Sequence, residues 1–262
     1  MKDNRAVIDL IDRIQAYLRH EYEDQEVVDA DPFNVYFAKA GGKPEFNLAV
    51  PTQRAIDGND PLLKMEDTFW QHRLSPCVQF LDAYNPALVA LLGKNEYQLI
   101  QEEMVLACTP DTFRPAPEMP GLTTLVLTRD SSLDDLEEGL QQTSQLGFDP
   151  FATRMLNTDA EMFRKTLVTG QAFVLRLHKK PVSAGMFIEI FDGLSQLAGL
   201  TTLEDYRRQG FAAYLAGYMT KYAFSRHVDT VFLITPVDGT ENVYRRVGFK
   251  PVSTLLTFEK EL

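Results

Sequence analysis

Residues Gly199 to Tyr222 read GLTTLEDYRRQGFAAYLAGYMTKY. An apolar strand end runs into a charged turn, then a glycine, then a helix. After Gly210 the apolar side chains are Phe211, Tyr214, Leu215, Tyr218 and Tyr222, at helical spacing, which predicts that this face is the buried one. The first N–H groups of a helix have no intrahelical partner, and the helix dipole makes that end positive. A glycine there admits an anion close to the backbone, and Arg207, Arg208 and Gln209 just before it add donors. Positive charge is unfavourable at that end of a helix unless an anion offsets it. The stretch therefore reads as a cradle for a pyrophosphate.

The segment that follows, VFLITPVDGTENVYRRVGFKPV, has the same strand-then-helix order. Val231 to Ile234 is a short branched apolar run, a buried strand. Asp238 to Val247 reads as a helix, stopped by Gly248. Upstream, Leu122 to Thr128 is a strand. Ser132 caps a helix expected to run to Leu146, with Asp135 at the capping-box position and Gly147 after the end. Thr158 and Glu161 mark a second box, for a helix ending near Gly170. Ala172–His178, Val182–Phe191 and Leu194–Thr202 are three strands. They are joined by turns at Lys179-Lys180-Pro181 and Asp192-Gly193.

On these residues the chain resembles the GCN5-related N-acetyltransferases, the GNAT family. Arg207-Arg208-Gln209-Gly210-Phe211-Ala212 has the family's R/Q-x-x-G-x-G/A form, and Asn242, Tyr244, Gly248 and Phe249 stand where its second motif has them. The resemblance covers roughly Gly121 to Leu262. It implies an α+β fold with a mixed sheet, and a donor, acetyl-CoA, lodged where two parallel strands splay, Leu194–Thr202 and Thr230–Ile234. It implies that backbone groups of Leu200, Thr201 and Thr202 bind the pantetheine arm and polarise the thioester carbonyl. Arg207, Arg208, Gln209, Gly210, Phe211, Ala212 and Ala213 would hold the pyrophosphate. Asn242 would bond the pantetheine chain or orient a water, and Tyr244 would be the general acid for the leaving thiolate. The implied reaction is direct acyl transfer to an amine in a ternary complex, with no metal.

A general base completes such chemistry. Glu189, inside the apolar strand Gly185–Ile190, is the candidate; alternation equally allows it to face solvent. Tyr244, likewise, is read as an acid or as a ring packed under the last strand. The histidines His20, His72, His178 and His227 are scattered, and Cys77 and Cys108 have no ligand spacing, so no metal site is expected.

The first half repeats some of this order. Residues 5 to 20 form an amphipathic helix with Val7, Ile11, Ile14 and Leu18 on one face. Asn34–Ala40 and Glu45–Val50 flank Gly41-Gly42 as a hairpin. Asp60-Pro61 opens a helix, Cys77–Leu81 is a strand, Pro86–Leu92 a helix and Tyr97–Cys108 a strand. FLDAYNPALVALLGKNEYQLIQEEMVL echoes FLITPVDGTENVYRRVGFKPVSTLLTF, pairing Phe80 with Phe232 and the helix-ending Gly93 with Gly248. The tandem reading is a degenerate GNAT-like domain over residues 1–118 and a motif-bearing domain over 119–262. Pro51 to Asp60 stands where the phosphate turn would be but lacks its pattern, and Val89 stands near the place of Tyr244. An unrelated α+β cap is the other reading of the first half. Thr109–Pro120, with four prolines, is expected to be a linker.

Bulk properties narrow the rest. The chain has 262 residues, 45% of them hydrophobic, enough for a packed core, and a net charge of −11 that disfavours a nucleic-acid partner. The first apolar stretch carries acids, and no run approaches a membrane span, so a soluble, cytoplasmic monomer or homodimer is expected. Three functions stay open: an N-acyltransferase acting on a small-molecule or peptide amine, an acyl-CoA sensor without turnover, and a structural partner protein.

Overall fold

β-branched and aromatic runs separated by turns build sheet, and helices cover it. In the computed structural model, residues 2–39, 46–140, 148 and 157–261 are described. Packing divides the chain into two compact units. The first comprises Met1–Val105, Thr235–Val237 and Val252–Leu262; the second comprises Leu106–Ile234 and Asp238–Pro251. The expected boundary at 118/119 follows the chain, whereas these units interleave.

In the first unit, α1 (Lys2–His20) is followed by β1 (Glu26–Ala30), β2 (Phe33–Phe37) and β3 (Leu48–Pro51). Then come α2 (Asp60–Gln71), β4 (Cys77–Leu81), α3 (Pro86–Lys94) and β5 (Gln98–Cys108). β1 is a strand that sequence reading missed: EVVDA is short and acidic at its edges, and its antiparallel register with β2 supplies what propensity does not. β2 and β3 pair antiparallel, as the expected hairpin requires, and Gly41-Gly42 lies outside the described residues. The final strand, Lys250–Glu259, pairs antiparallel with β4 from Leu255↔Leu81 to Glu259↔Cys77. Ile11, Ile14 and Leu18 of α1 are buried as expected, but Val7 is exposed. Gln15, fully buried, fixes the helix by accepting from the Leu81 backbone N–H at 3.0 Å.

In the second unit, β6 (Leu122–Leu127), α4 (Leu133–Glu137) and α5 (Asn157–Thr166) precede three long strands: β7 (Gln171–Leu177), β8 (Lys180–Phe191) and β9 (Leu194–Thr202). α6 (Phe211–Ser225), β10 (Thr230–Pro236) and α7 (Glu241–Arg245) follow, and Lys250 begins β11 (Lys250–Glu259). The sheet order here is β10-β9-β8-β7-β6, with β9 and β10 parallel and the other neighbours antiparallel. This is the expected mixed α+β arrangement. Ser132 caps α4, accepting from the Asp135 N–H, but the regular helix ends at Glu137, and the rest of the helix expected to Leu146 falls largely outside the described residues. Thr158 of the second capping box is likewise not described at its side chain.

The buried face of α6 is rotated from the expected one. Phe211 and Leu215 are buried, but with Ala216, Met219, Thr220 and Ala223, whereas Tyr218 is 36% exposed. Tyr214 and Tyr222 are half-buried on the flank of that face. Close approach is made possible by Gly185 of β8, where an added Cβ would lie 3.0 Å from Met219 Sδ and 3.2 Å from Leu200 Cδ1. The proline-rich stretch expected to be a linker is packed. Arg114 N–H donates to Val247 O at 2.8 Å, Phe113 meets Phe224 edge-on at 5.7 Å, and Ala116 lies against Gly217. Prolines remove donors, but they also fix an extended path that can lie on a helix pair.

Candidate functional site

The strand pair β9–β10 is in register only at Thr230↔Leu194, Val231↔Ser195 and Phe232↔Gln196. Beyond that point β9 continues to Thr202 without β10, so the parallel strands part. On its other side β9 pairs with β8 through a register shift. Ala184↔Thr201 is followed by Met186↔Ala198, one residue too many on β9. The extra residue lies beside Gly199, whose φ of +60° is left-handed. A bulge of this kind leaves backbone groups out of the ladder and re-aims them. Leu200, Thr201 and Thr202, just past the bulge, line a cavity of about 550 Å³.

The turn after β9 is a short 3₁₀ segment, Glu204–Tyr206, and then Arg208, with φ +61°, and Gly210, with φ +90°. Gly210 is the N-cap of α6, no side chain caps the helix, and its first turn carries no acid. The first N–H groups of α6 thus have no side-chain acceptor. Nothing lies within 4 Å of where a Gly210 Cβ would be, so the space in front of them is open. Open backbone donors, the positive helix end and Arg208 on the same cavity suit a phosphate. That chemistry fits the diphosphate of an acyl-CoA, which the family implies as donor.

The site residues expected from sequence do not all behave alike. Arg207, Arg208, Gly210, Phe211, Ala212, Ala213, Asn242 and Tyr244 line this cavity with the β9 residues. Arg207 also braces the turn, its Nε donating to Thr202 O at 3.1 Å. Gln209 does not line the cavity; its amide donates to Asp205 O at 3.1 Å. Asn242 donates to Gly239 O at 3.0 Å, closing the turn that opens α7.

Tyr244 is buried, its ring edge-on to Phe249 at 6.0 Å. Burial, and then the negative charge of Asp238, push its hydroxyl up to about 12. Asp238 is itself held below the usual carboxylate range by hydrogen bonds from Thr240. The Tyr244 hydroxyl therefore keeps its proton at neutral pH. Gly248, φ +104°, ends the α7 segment as expected, and an added Cβ there would collide with the carbonyl oxygen of Thr112.

Glu189 is not brought to Tyr244. It lines a different cavity, beside β7 and the far end of α6, where its backbone carbonyl accepts from Ser195 Oγ at 2.8 Å. The register shift between Phe187 and Ile190 sets its position, which strand alternation alone does not foresee. Sequence reading missed Tyr206, Thr240 and Arg246, which also line the cradle cavity. Arg246 follows Tyr244 by two residues, so its closeness to the motif was the available signal. Among the described residues, no group of three His, Cys, Asp or Glu could hold a metal ion, and no helix is long and apolar enough to cross a membrane.

Splayed parallel strands, a bulged central strand and an uncapped helix start after a glycine are the features of the fold seen in GNAT acetyltransferase structures. Residues 137–249 match the family model described as Acetyltransferase (GNAT) family. No curated protein matches the chain in sequence. Among solved structures, the chain is similar to a GCN5-related N-acetyltransferase from Kribbella flavida, with 21% identity, a TM-score of 0.74, and 96% of each chain covered. A GCN5-related N-acetyltransferase from Sphaerobacter thermophilus is similar at 16% identity and a TM-score of 0.58, with 94% of this chain and 85% of that one covered. A tandem GNAT protein from the clavulanic acid biosynthesis pathway, solved without AcCoA, is similar at 10% identity and a TM-score of 0.60. There 82% of this chain and 75% of that one are covered, consistent with a tandem arrangement.

Proposed function

We propose that the chain is an acyl-CoA-dependent N-acyltransferase that moves an acetyl group from acetyl-CoA to a primary amine, small molecule or peptide. In this reading residues 119–262 hold the chemistry and residues 1–118 are a degenerate GNAT-like domain. The carrying observation is the uncapped, left-handed Gly210 start of α6 on one cavity with Arg208 and the protonated hydroxyl of Tyr244. Acetyl-CoA would supply the acyl group activated as a thioester. The N–H groups of Phe211, Ala212 and Ala213, with Arg208, bind its diphosphate. Backbone groups at Leu200 to Thr202 run along the pantetheine arm, and one N–H there faces the thioester carbonyl. Tyr244 Oη holds the proton that the departing thiolate sulfur takes. The neutral amine attacks the thioester carbonyl directly as the C–S bond breaks, without a covalent enzyme intermediate, and the proton that its nitrogen sheds passes through water and returns to Tyr244 Oη.

A second reading is an acyl-CoA sensor without turnover. It is favoured by one observation: among the described residues, no aspartate, glutamate or histidine lines the cradle cavity, so the cavity lining supplies no carboxylate or imidazole base. Release of free thiol from acetyl-CoA, followed against a library of primary amines, separates the two. The enzyme reading predicts amine-dependent release that Tyr244→Phe lowers by about 10²-fold or more, the size of a lost general acid. Acetyl-CoA binding with no release for any amine supports the sensor.

A further inference from the structure

The second cavity of the same unit, about 570 Å³, is carried by the elements that carry the cradle, at their opposite ends. The cradle sits at the start of α6, and this cavity takes Tyr222, Ala223 and Arg226 from its end. α6 has 15 residues, and at 1.5 Å per residue it separates the two by about 20 Å. From β9 the cradle takes Leu200 to Thr202, and this cavity takes Ser195. An occupant here cannot touch the groups at the Tyr244 hydroxyl. The volume is that of a small-molecule site.

Its floor is apolar and closed: Phe187, Leu167, Ala223 and Val228 are all buried. Its walls carry opposite charges on different elements. Glu189 stands on β8, and Arg226 follows the end of α6. At the rim, Arg129 and Asp130 pair with each other at 3.8 Å and neutralise one another.

The arginine wall is organised to donate. Tyr222 Oη accepts from Gln171 Nε2 at 3.0 Å and from Arg226 Nη2 at 2.9 Å. With both acceptor directions used, the tyrosine has its own proton left to give. The guanidinium also rests over the Tyr222 ring, its carbon 5.1 Å from the centroid, which fixes the fork while leaving other N–H groups for a ligand. Tyr222 is held in turn by Phe173, edge-on at 5.2 Å.

We propose that this cavity binds an α-amino acid with an apolar side chain. The carboxylate meets Arg226 and the Tyr222 hydroxyl, the ammonium faces Glu189, and the side chain lies on the Phe187 floor. The occupant is not the acceptor at the cradle, and the proposal does not depend on acetyl transfer there.

Isothermal titration of L-phenylalanine and L-leucine into the full chain tests this, beside glycine, phenethylamine and 3-phenylpropionate. The expected result is saturable binding of the two amino acids. Each comparator should bind about tenfold more weakly or worse, since each lacks one of the three contacts. Arg226→Gln and Tyr222→Phe should each weaken L-phenylalanine binding, the first by about tenfold. Unchanged thermal melting and unchanged acetyl-CoA binding would show that these variants are intact. Glu189→Gln should weaken L-phenylalanine but leave 3-phenylpropionate unchanged. The proposal is overturned if neither amino acid binds up to about 10 mM, beyond the millimolar range of a weak specific site. It is equally overturned if 3-phenylpropionate binds as well as L-phenylalanine, or if Arg226→Gln and Tyr222→Phe bind like the parent.

Discussion

Two helix starts, one in each unit, teach what makes an anion site. α2 follows β3 as α6 follows β9, and each is preceded by a left-handed glycine and an arginine: Gly58 and Arg54 for α2, Gly210 and Arg208 for α6. The ingredients match, but the chemistry is opposite. α2 begins with Asp60 and Pro61, so its first turn carries a negative charge and lacks one N–H. Arg54 is committed, donating from Nε to Asp12 Oδ1 at 2.6 Å and from Nη2 to Ile8 O at 2.9 Å, with its guanidinium over Tyr84. Neither helix has a side-chain cap, but α6 begins with no acid and no proline. A helix start attracts an external anion when its first turn carries no negative charge and keeps its N–H groups, not merely when glycine and arginine are near.

The largest expected effect concerns the glycines that sequence echo paired, Gly93 and Gly248. Gly248→Ala puts a Cβ into Thr112 O in a left-handed conformation, and should cost about 3 kcal/mol or more in chemical denaturation. Next, Arg208→Glu should weaken acetyl-CoA binding by about 100-fold, from a lost charge-assisted contact and a new repulsion. Arg54→Ala should leave that affinity unchanged and lower stability by about 1 kcal/mol. Should Arg54→Ala weaken binding as strongly as Arg208→Glu, the contrast between the two helix starts fails.

A third prediction concerns pH. The Tyr244 pKa is raised on folding, so its contribution to stability is fully present below about 10, the ordinary tyrosine value, and is lost as pH rises through about 12. Tyr244→Phe should flatten that part of the alkaline stability profile, followed by denaturant midpoints at successive pH values. The smallest effect is on the other glycine. Gly93 lies inside α3, and a Cβ added there would meet open space, so Gly93→Ala should stabilise by about 0.5–1 kcal/mol.

These contrasts show how far the sequence could be read. Local signals carried the cradle: Arg207 to Ala212 and the strand before them are neighbours in the chain, Tyr244 lies four residues before Gly248, and each group obeys a short-range rule. Features set by pairing were not legible. The bulge beside Gly199 and the position of Glu189 depend on how β8 meets β9, and a shift of one residue changes the face of a side chain. β1 is a strand because β2 pairs with it. Gly93 and Gly248 look alike in sequence and differ in φ, because only the second ends its helix against another backbone segment. Arg54 and Arg208 differ for the same reason: Asp12, 42 residues away, claims the first.

The most direct measurement is isothermal titration of acetyl-CoA into the parent protein, Arg208→Glu and Arg54→Ala, side by side. The account predicts that the parent and Arg54→Ala bind alike and that Arg208→Glu binds about 100-fold more weakly. No heat from the parent, or equal binding by Arg208→Glu, would contradict the claim that the start of α6 is the anion cradle.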